Sequence, residues 1–296
     1  MDVSVIIVNY NTKELTKNCI DSIFAQTSGV TFEVILVDNA STDGSVELFE
    51  KDERIRFIES GRNLGFGKAN NLGYQHAEGK YLFLLNSDTL LLNNAIQEFY
   101  LQMEQRHEPI ACMGCLLVDA NCQRIHSYGD FLTLWNELVR KPLFYLHKYL
   151  SIKEGFDDKP LRQIDDHCFE VEYVTGADIF ILKSVADCLG LFDPDFFMYY
   201  EESEMQYRYR KNGYINVIVD TPQVQHLIGG SNQSSRSLWK RSDLTSMMLC
   251  YRKLYGSKRA SFFKWLMVAT YTPLAIVDFR YPLQERWSFL KKFSQL

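Results

Sequence analysis

Short apolar runs alternate with helical segments through residues 3–85, and this alternation restricts the fold more than any other feature of the chain. Residues 3–8 form a continuous β-branched run, and further runs cover 32–37, 55–58 and 81–85. Such runs are typical of strands buried on both faces of a parallel sheet. The segments between them carry apolar residues at helical spacing. The pattern therefore predicts an α/β fold of consecutive β-α-β units with right-handed crossovers.

The length of 296 residues suits one large α/β domain with an appendage, or two small domains. From Ser237 onward the pattern is helical and lacks the strand runs of the first part. We therefore predict a sheet-containing domain over 1–235 and a helical C-terminal extension over 236–296. The hydrophobic fraction of 46% and the charged fraction of 23% are ordinary for a folded globular protein.

The net charge of −5 lacks the basic excess of nucleic-acid-binding proteins, so we expect no nucleic-acid partner. It does not exclude an anionic nucleotide, because a metal ion can offset a diphosphate locally. The chain opens on an apolar run without a basic leader, and no stretch is long and apolar enough to predict a transmembrane span. Seven scattered cysteines, including Cys112 and Cys115, are typical of reduced thiols. We expect a cytoplasmic protein.

Polar clusters follow three of the predicted strands. Asn9 and Tyr10 follow the first strand, Asp38 and Asn39 the second, and the tripeptide Asn86-Ser87-Asp88 the fourth. In open α/β sheets, ligands bind beyond the carboxyl ends of the strands, so these side chains predict a polar site at one edge of the sheet. The last carboxylate of the tripeptide is an oxygen ligand of the type that a hard divalent cation requires. On its own, the tripeptide is more typical of an Asx turn.

An acidic cluster, Glu201-Glu202-Ser203-Glu204, begins a predicted helix and follows several aromatic residues. Carboxylates favour helix N-termini because of the helix dipole, so a plain acidic helix start is one interpretation. The aromatic flank favours another, a half-buried site in which a carboxylate acts as a general base. Glu201 and Glu204 share a helical face while Glu202 points elsewhere, so at most two of the three face one site. His226 is either a structural residue or part of a loop that closes over a ligand.

The order of these segments resembles the inverting glycosyltransferases of family 2, which have the GT-A fold. Within that family, the chain resembles the rhamnosyltransferase-like branch of bacterial surface polysaccharide synthesis. The joint match is specific for the family and says little about which sugar is moved. The matching segments are SVIIVNYNT (4–12), EVILVDNASTDGSVE (33–47), NLGFGKANNLG (63–73), GKYLFLLNSDT (79–89), VTGADIFILK (174–183), GLFDPDFFMYYEESEMQYRYRKNGY (190–214) and QHLIGGSN (225–232).

The resemblance implies a role for each matched position. Asp88 is implied as the carboxylate of the metal motif and His226 as a further metal ligand, with Mg²⁺ or Mn²⁺ as the cofactor. The residues implied in binding the donor nucleotide and sugar are Val8, Asn9, Tyr10, Asp38, Asn39, Gly65, Lys68, Asn70, Asn86 and Ser87. The residues implied on the acceptor side are Gly176, Ala177, Asp178 and Glu201.

Two positions depart from the usual motifs of the family. The base motif is usually Glu-Asp-x-Asp, and this chain has Glu202, which aligns with the base, and Glu204 at the two Asp positions. A Glu can transfer the same proton, but its extra methylene moves the oxygen by about 1 Å, which matters for positioned catalysis. The metal motif is usually Asp-x-Asp, and Asn86 replaces its first residue. Asn86 is therefore expected to bind the donor instead of the metal.

These expectations predict transfer of a sugar from a UDP- or dTDP-sugar, with dTDP-rhamnose as one candidate, to a saccharide or polyprenyl-linked acceptor with inversion. An inactive relative that only binds a nucleotide-sugar is an alternative, because of the Glu replacements. A sugar nucleotidyltransferase would carry an N-terminal glycine-rich loop with a basic residue, which residues 4–12 lack. An NAD-dependent oxidoreductase would carry GxGxxG after the first strand, and this chain does not.

The segment 261–280 is apolar and aromatic, but Lys264, Pro273 and Asp278 make it a poor spanning helix. It either docks on the domain or lies at a membrane surface, since Trp265 and the flanking basic residues suit an interface. We state peripheral contact with the inner face of the cell membrane as a hypothesis.

Overall fold

The computed structural model describes residues 1–137, 161–227 and 241–277, together with residues 284, 287 and 291. The strands of these ranges are β1 (Val3–Asn9), β2 (Phe32–Asp38), β3 (Arg56–Glu59), β4 (Tyr81–Asn86), β5 (Thr89–Leu91), β6 (Ile110–Cys115), β7 (Tyr128–Gly129), β8 (Arg162–Asp165), β9 (Cys168–Val171), β10 (Tyr173–Val174), β11 (Asp178–Leu182), β12 (Ile215–Val219) and β13 (Val224–His226). The helices are α1 (Lys13–Gln26), α2 (Ser45–Phe49), α3 (Phe66–Tyr74), α4 (Ala95–Glu104), α5 (Lys183–Leu189), α6 (Glu201–Lys211), α7 (Arg241–Tyr255) and α8 (Ser257–Val277).

Nine of the described strands form one central sheet, in the order β3-β2-β1-β4-β11-β6-β12-β9-β8. The first four pair in parallel, as the β-α-β pattern predicted. β11 is antiparallel to both β4 and β6, and β9 is antiparallel to both β12 and β8. Because β6 and β12 pair in parallel, seven of these nine strands run in one direction. The predicted α/β class, with a mostly parallel sheet and flanking helices, is confirmed.

Two apolar layers enclose the sheet, because each buried strand sends alternate side chains to opposite faces. In β1, Val5 and Ile7 face one layer and Ile6 faces the other. The first layer contains stacked aromatic rings, among them Phe99 and Phe180 with centroids 5.3 Å apart. Burial on both faces fixes the positions at which the strands end. The polar residues that follow the strands are therefore held at the edge of the sheet.

A third apolar cluster joins the C-terminal helices to the main domain. It contains Leu244 and Met247 of α7, Phe263 and Met267 of α8, and Phe196 from the segment before α6. These helices therefore pack directly against the chain that leads into the acidic cluster. Among the described helices, none has the combination of length and apolar character that crossing a bilayer requires.

Some sequence predictions fall outside the described residues. The predicted boundary between 235 and 236 lies there, as do residues 228–232 of the matching segment 225–232 and the last three residues of the segment 261–280. The two-residue and three-residue ladders β7–β10 and β5–β13 were not predicted. Their strands are too short for apolar periodicity to reveal them.

Candidate active site

Asn9, the last residue of β1, connects the ends of neighbouring strands. Its side chain is fully buried, and its amide nitrogen donates to Asp38 Oδ2 at 2.7 Å and to Ser41 Oγ at 3.0 Å. Its amide oxygen accepts from Thr12 Oγ1 at 2.8 Å, and this hydroxyl lies 3.0 Å from the hydroxyl of Ser87. The ends of β1 and β2 and the turn after β4 are therefore joined by one chain of buried hydrogen bonds.

Asn39, the residue after β2, holds the segment that leads into α3. Its amide oxygen accepts from the backbone N–H of Leu64 at 2.8 Å. Gly65 follows with a φ of +81°, and the N–H of Phe66 donates to the carbonyl of Phe197 at 3.0 Å. A Cβ on Gly65 would overlap that same carbonyl oxygen. Glycine is therefore required where the start of α3 approaches the segment before α6.

Asp88 and His226 meet although they are far apart in the sequence. The small ladder between β5 and β13 places His226 opposite Thr89, and the N–H of Leu227 donates to the Asp88 carbonyl at 2.9 Å. His226 Nε2 lies 3.2 Å from Asp88 Oδ1, and Asp88 is only 4% exposed. A carboxylate oxygen and an imidazole nitrogen are ligand types that divalent cations bind.

This pair fits a cation that takes its remaining ligands from elsewhere. In the described ranges, no three His, Cys, Asp or Glu side chains are arranged to hold a metal by themselves. Magnesium-type sites commonly use one or two protein ligands together with substrate phosphates and water. Asp88 and His226 thus fit a shared site, completed by a phosphate-bearing ligand, better than a closed structural site.

Asp178 begins β11 opposite Leu85 and is fully buried. Its Oδ2 accepts from the N–H of Cys115 at 2.7 Å, and its Oδ1 has no hydrogen-bond partner among the described residues. Burial raises the pKa of Asp178 to about 7, and the hydrogen bond from Cys115 and the charge of nearby His226 offset part of the shift. Asp178 therefore lies inside the sheet edge, near enough to His226 for their charges to interact.

Two consecutive tyrosines with positive φ lead into α6. Tyr199 has a φ of 71° and Tyr200 a φ of 69°. This conformation costs a residue other than glycine about 1–2 kcal/mol, and it persists where surrounding packing enforces it. The packing here comes from α7, since Ser246 Oγ donates to the carbonyl of Met198 at 2.7 Å and Tyr200 packs against the third cluster. The C-terminal helices thus stabilise the strained entry to the acidic cluster.

The three glutamates of α6 have different surroundings. Glu204 forms an ion pair with Arg208, with contacts of 3.3 and 3.2 Å, so its charge is neutralised. Glu201 is 2% exposed and lies beside Gly67, where an added Cβ would be 3.6 Å from its Cγ. Glu202 lies beside Gly176, where an added Cβ would be 3.9 Å from its Cδ. Glu201 and Glu202 are therefore the two carboxylates not committed to Arg208, whereas the helical spacing had placed Glu201 and Glu204 on one face.

Burial and mutual repulsion shift the pKa values of Glu201 and Glu202. Burial, followed by the charge of Glu202, raises the pKa of Glu201 to about 8. Burial also raises the pKa of Glu202, and the backbone N–H groups of Glu202 and Ser203 oppose this shift. Two adjacent buried carboxyls do not readily ionise together. The two carboxyls together are therefore expected to keep one proton near neutral pH.

Gln206 fixes the distance between Glu202 and the strand beside it. Its side chain accepts from the N–H of Val174 and donates to the Val174 carbonyl, both at 2.8 Å, and it is fully buried. Gly176 and Ala177 follow two and three residues later, and the Ala177 carbonyl accepts from the N–H of Asn86 at 3.0 Å. The strip 174–177 thus lies between the Glu202 carboxylate and the Asn86-Ser87-Asp88 turn.

The remaining predicted donor residues occupy varied positions. Val8 is half-buried, Tyr10 is 47% exposed and Lys68 is exposed. Asn70 is buried, and its amide donates to the Phe66 carbonyl at 3.0 Å within α3. The structure therefore brings the strand-end residues together, while the amide of Asn70 serves its own helix.

Three residues at the site were not singled out from the sequence. Thr12 bridges the Asn9 and Ser87 side chains, Asn63 accepts from the N–H of Gly65 at 2.9 Å, and Gln206 clamps Val174. Thr12 and Asn63 lie within or at the ends of the quoted segments, so turn chemistry could have indicated them. Gln206 has no such signal, because nothing in a helical pattern marks which polar residue is buried.

Comparison with known proteins identifies the family. The model of glycosyl transferase family 2 matches residues 4–163, which is more than half of the chain. The chain belongs to glycosyl transferase family 2. The strand-end residues, the turn with Asp88 and the glycine-containing start of α3 all lie inside the matched range.

Two curated relatives and one solved structure extend the comparison. The succinoglycan biosynthesis protein ExoO of Rhizobium meliloti is 38% identical over 199 residues, covering 64% of this chain and 57% of the relative. The low-salt glycan biosynthesis hexosyltransferase Agl10 of Haloferax volcanii is 28% identical over 220 residues, covering 73% of this chain and 64% of the relative. This chain spans less than two thirds of the length of either relative.

The solved structure is the mannosyltransferase PcManGT from Pyrobaculum calidifontis, in complex with GDP-Man and Mn²⁺. It superimposes with a TM-score of 0.60 at 15% identity, covering 99% of this chain and 79% of that chain. At this identity the similarity establishes the fold alone. The predicted GT-A type fold is thereby confirmed.

We expect Gly65→Ala to destabilise the protein more than Gly61→Ala. Both glycines have positive φ, +81° and +71°, but an added Cβ overlaps the Phe197 carbonyl only at position 65 and meets nothing within 4 Å at position 61. Both variants therefore lose about 1–2 kcal/mol from the left-handed backbone, and G65A also displaces the segment before α6. Urea unfolding measures the difference, and equal losses in the two variants would show that the close approach is unimportant.

We expect Glu201→Gln to flatten the pH dependence of stability. The pKa of Glu201 is raised from 4.5 to about 8, so the folded chain holds a proton that the unfolded chain releases between these values. The free energy of unfolding therefore falls as pH rises through this window, and a glutamine removes that contribution. Urea unfolding at several pH values from 5 to about 8 tests this, with the exposed Glu53→Gln as control. Parallel curves for wild type and E201Q would contradict it.

Proposed function

We propose that this chain transfers a sugar from a nucleotide-diphosphate donor to a hydroxyl of a saccharide or lipid-linked acceptor, with inversion, in cell-surface polysaccharide synthesis. The observation that carries the proposal is that a candidate metal-binding pair and a candidate general base lie against the same short backbone segment. The Asp88–His226 pair and the Glu202 carboxylate flank the same strip, 174–177. The Asp88–His226 pair, with a cation, would bind a diphosphate. The Glu202 carboxylate would accept a proton from an acceptor hydroxyl.

The donor nucleotide occupies the ends of β1 and β2 in this proposal. Asp38 is held rigidly by Asn9 and by the N–H of Ser41 at 2.8 Å, so its carboxylate can accept hydrogen bonds from a base or ribose without reorganising. Tyr10, the residue after Asn9, is exposed and offers an aromatic face on which a base could stack. The donor is a UDP- or dTDP-sugar, with dTDP-rhamnose as one candidate.

Asp88 and His226 would hold the divalent cation, Mg²⁺ or Mn²⁺. When bound, the cation supplies positive charge beside the diphosphate that leaves. The solved mannosyltransferase with the same fold contains Mn²⁺ together with GDP-Man, which supports this assignment. Asn86 and Ser87 precede Asp88 in the same turn, and they would contact the donor on the side that faces the strip.

Glu202 would act as the general base. It accepts the proton of the acceptor hydroxyl while that oxygen attacks the anomeric carbon and the nucleoside diphosphate leaves from the opposite face, which inverts the configuration. In this proposal the proton that the pair keeps lies on Glu201, whose pKa is raised to about 8, and Glu202 is the ionised member. Gly176, which has no side chain, leaves room for the acceptor next to the base, and Ala177 and Asp178 line the adjacent backbone.

Asp88→Asn is expected to remove the metal-dependent part of nucleotide binding. A nucleotide at about 100 times its Kd stabilises the folded state by about 2.7 kcal/mol, which raises Tm by roughly 5–10 °C for a domain of this size. We would measure Tm with UDP, dTDP, GDP and CDP, each with and without Mn²⁺, in wild type, D88N and the exposed control Asp166→Asn. One nucleotide should stabilise wild type and D166N more strongly with Mn²⁺, and D88N should lack this gain. The metal assignment is withdrawn if D88N keeps it.

Glu202→Gln is expected to lower kcat by about 10²–10⁴ without changing the nucleotide-induced shift in Tm. Glu202→Asp should keep more activity, since it retains a base at the position the family usually fills with Asp. Glu204→Gln serves as the matched control, because that carboxylate is committed to Arg208. An equal loss of kcat in E204Q and E202Q, with both variants folded, would reject Glu202 as the base. Nucleotide binding without any turnover in wild type would favour the inactive relative.

A further inference from the structure

The C-terminal helices carry an unusual charge distribution. Between Asp243 and Asp278 the chain has no acidic residue and five basic ones, in a protein whose net charge is −5. Lys253 is neutralised by the main domain, because its ammonium contacts Asp193 at 2.5 Å and Asp195 at 2.6 Å. The positive charge that projects outward therefore comes mainly from the end of α7 and the first turn of α8.

α8 has two different faces. Ala260, Phe263 and Met267 are buried in the third cluster and attach the helix to the domain. Phe262 and Trp265 lie on the other side and are 58% and 71% exposed. Single exposed apolar residues are ordinary on a protein surface, but two large aromatic rings three positions apart on one helix face form a local apolar patch.

Basic residues adjoin these rings. Lys258 and Arg259 are exposed in the first turn of α8, and Lys258 is one helical turn before Phe262 on the same face. An aromatic patch bordered by cations is the arrangement of helices that lie in the interface of an anionic bilayer. Four side chains are far fewer than the roughly 20–30 residues per side of a stable protein interface. The surface is therefore matched to lipid headgroups better than to a folded protein.

We propose that the outer face of α8, defined by Lys258, Arg259, Phe262 and Trp265, docks reversibly on a membrane surface that contains anionic lipid. The rings enter the headgroup region while the cations pair with lipid phosphates. Because electrostatic attraction contributes, binding weakens at high salt.

Docking at this face would attach to the bilayer the helix that packs against the segment before α6. The third cluster, which anchors α8, contains Phe196, and Tyr200, two residues before Glu202, packs against it. If the glycosyl transfer proposed above is correct, the acceptor that best fits this position is a lipid-linked saccharide. This consequence rests on the proposed function, whereas the docking itself does not.

The test is co-sedimentation of the full chain with phosphatidylcholine vesicles and with vesicles of phosphatidylcholine and phosphatidylglycerol in equal parts, at low and high salt. We compare wild type with F262S/W265S, with K258Q/R259Q, and with the control Trp135→Ser, which removes an exposed ring (67%) elsewhere. Tm establishes that each variant is folded.

We expect wild type and W135S to sediment with the anionic vesicles only, and less at high salt. F262S/W265S should lose most of the bound fraction, and K258Q/R259Q should lose the preference for anionic lipid. No binding by wild type, or equal binding by wild type and F262S/W265S, overturns the proposal. A concentration-dependent dimer that F262S/W265S abolishes overturns it as well, in favour of self-association. Vesicle binding requires neither donor nor acceptor, so its failure is separate from a failure of glycosyl transfer.

Discussion

The hydrogen bond from the buried Asn9 amide to the Asp38 carboxylate is the contact on which the rest of the site depends. An unpaired polar group at this depth would be costly, so the strand ends stay where each amide and carboxylate oxygen finds its partner. The same amide reaches Ser87 through Thr12. The turn that carries Asp88 is consequently tied to the end of β1, in addition to its backbone hydrogen bonds with Ala177 and Leu227.

The glutamates of α6 form the other half of the site, and they differ in how their charges are balanced. Glu204 is paired with Arg208, so it can be buried as an ion without a ligand. Glu201 and Glu202 form no such ion pair with the residues that the structure describes, and burial together with repulsion leaves one proton between them near neutral pH. This costs stability, as does the positive φ of Tyr199 and Tyr200. Packing from α7 and α8 offsets the strain, which ties the C-terminal helices to the function of α6.

Much of the architecture was predictable from local patterns. The apolar runs identified the first four strands and their parallel pairing, and the polar residues after them identified the edge of the sheet at which the site forms. The helical spacing of Glu201, Glu202 and Glu204 indicated that at most two of them would face one site, but it did not indicate which two. Periodicity could not reveal that β11 runs antiparallel between β4 and β6, since strand direction depends on long-range pairing. It also could not reveal that the amide of Asn70 bonds within its own helix.

The α/β class, the family and the residue types at the strand ends follow from alternation, turn chemistry and motif order, which are all local to the chain. Which of these residues meet depends on the folded protein. The three-residue ladder between β5 and β13 brings His226 to Asp88. The hydrogen bonds between Gln206 and Val174 hold Glu202 beside Gly176. Each contact joins segments that are separated by many residues. Its geometry is set by the packing of the whole sheet, which local sequence patterns do not predict.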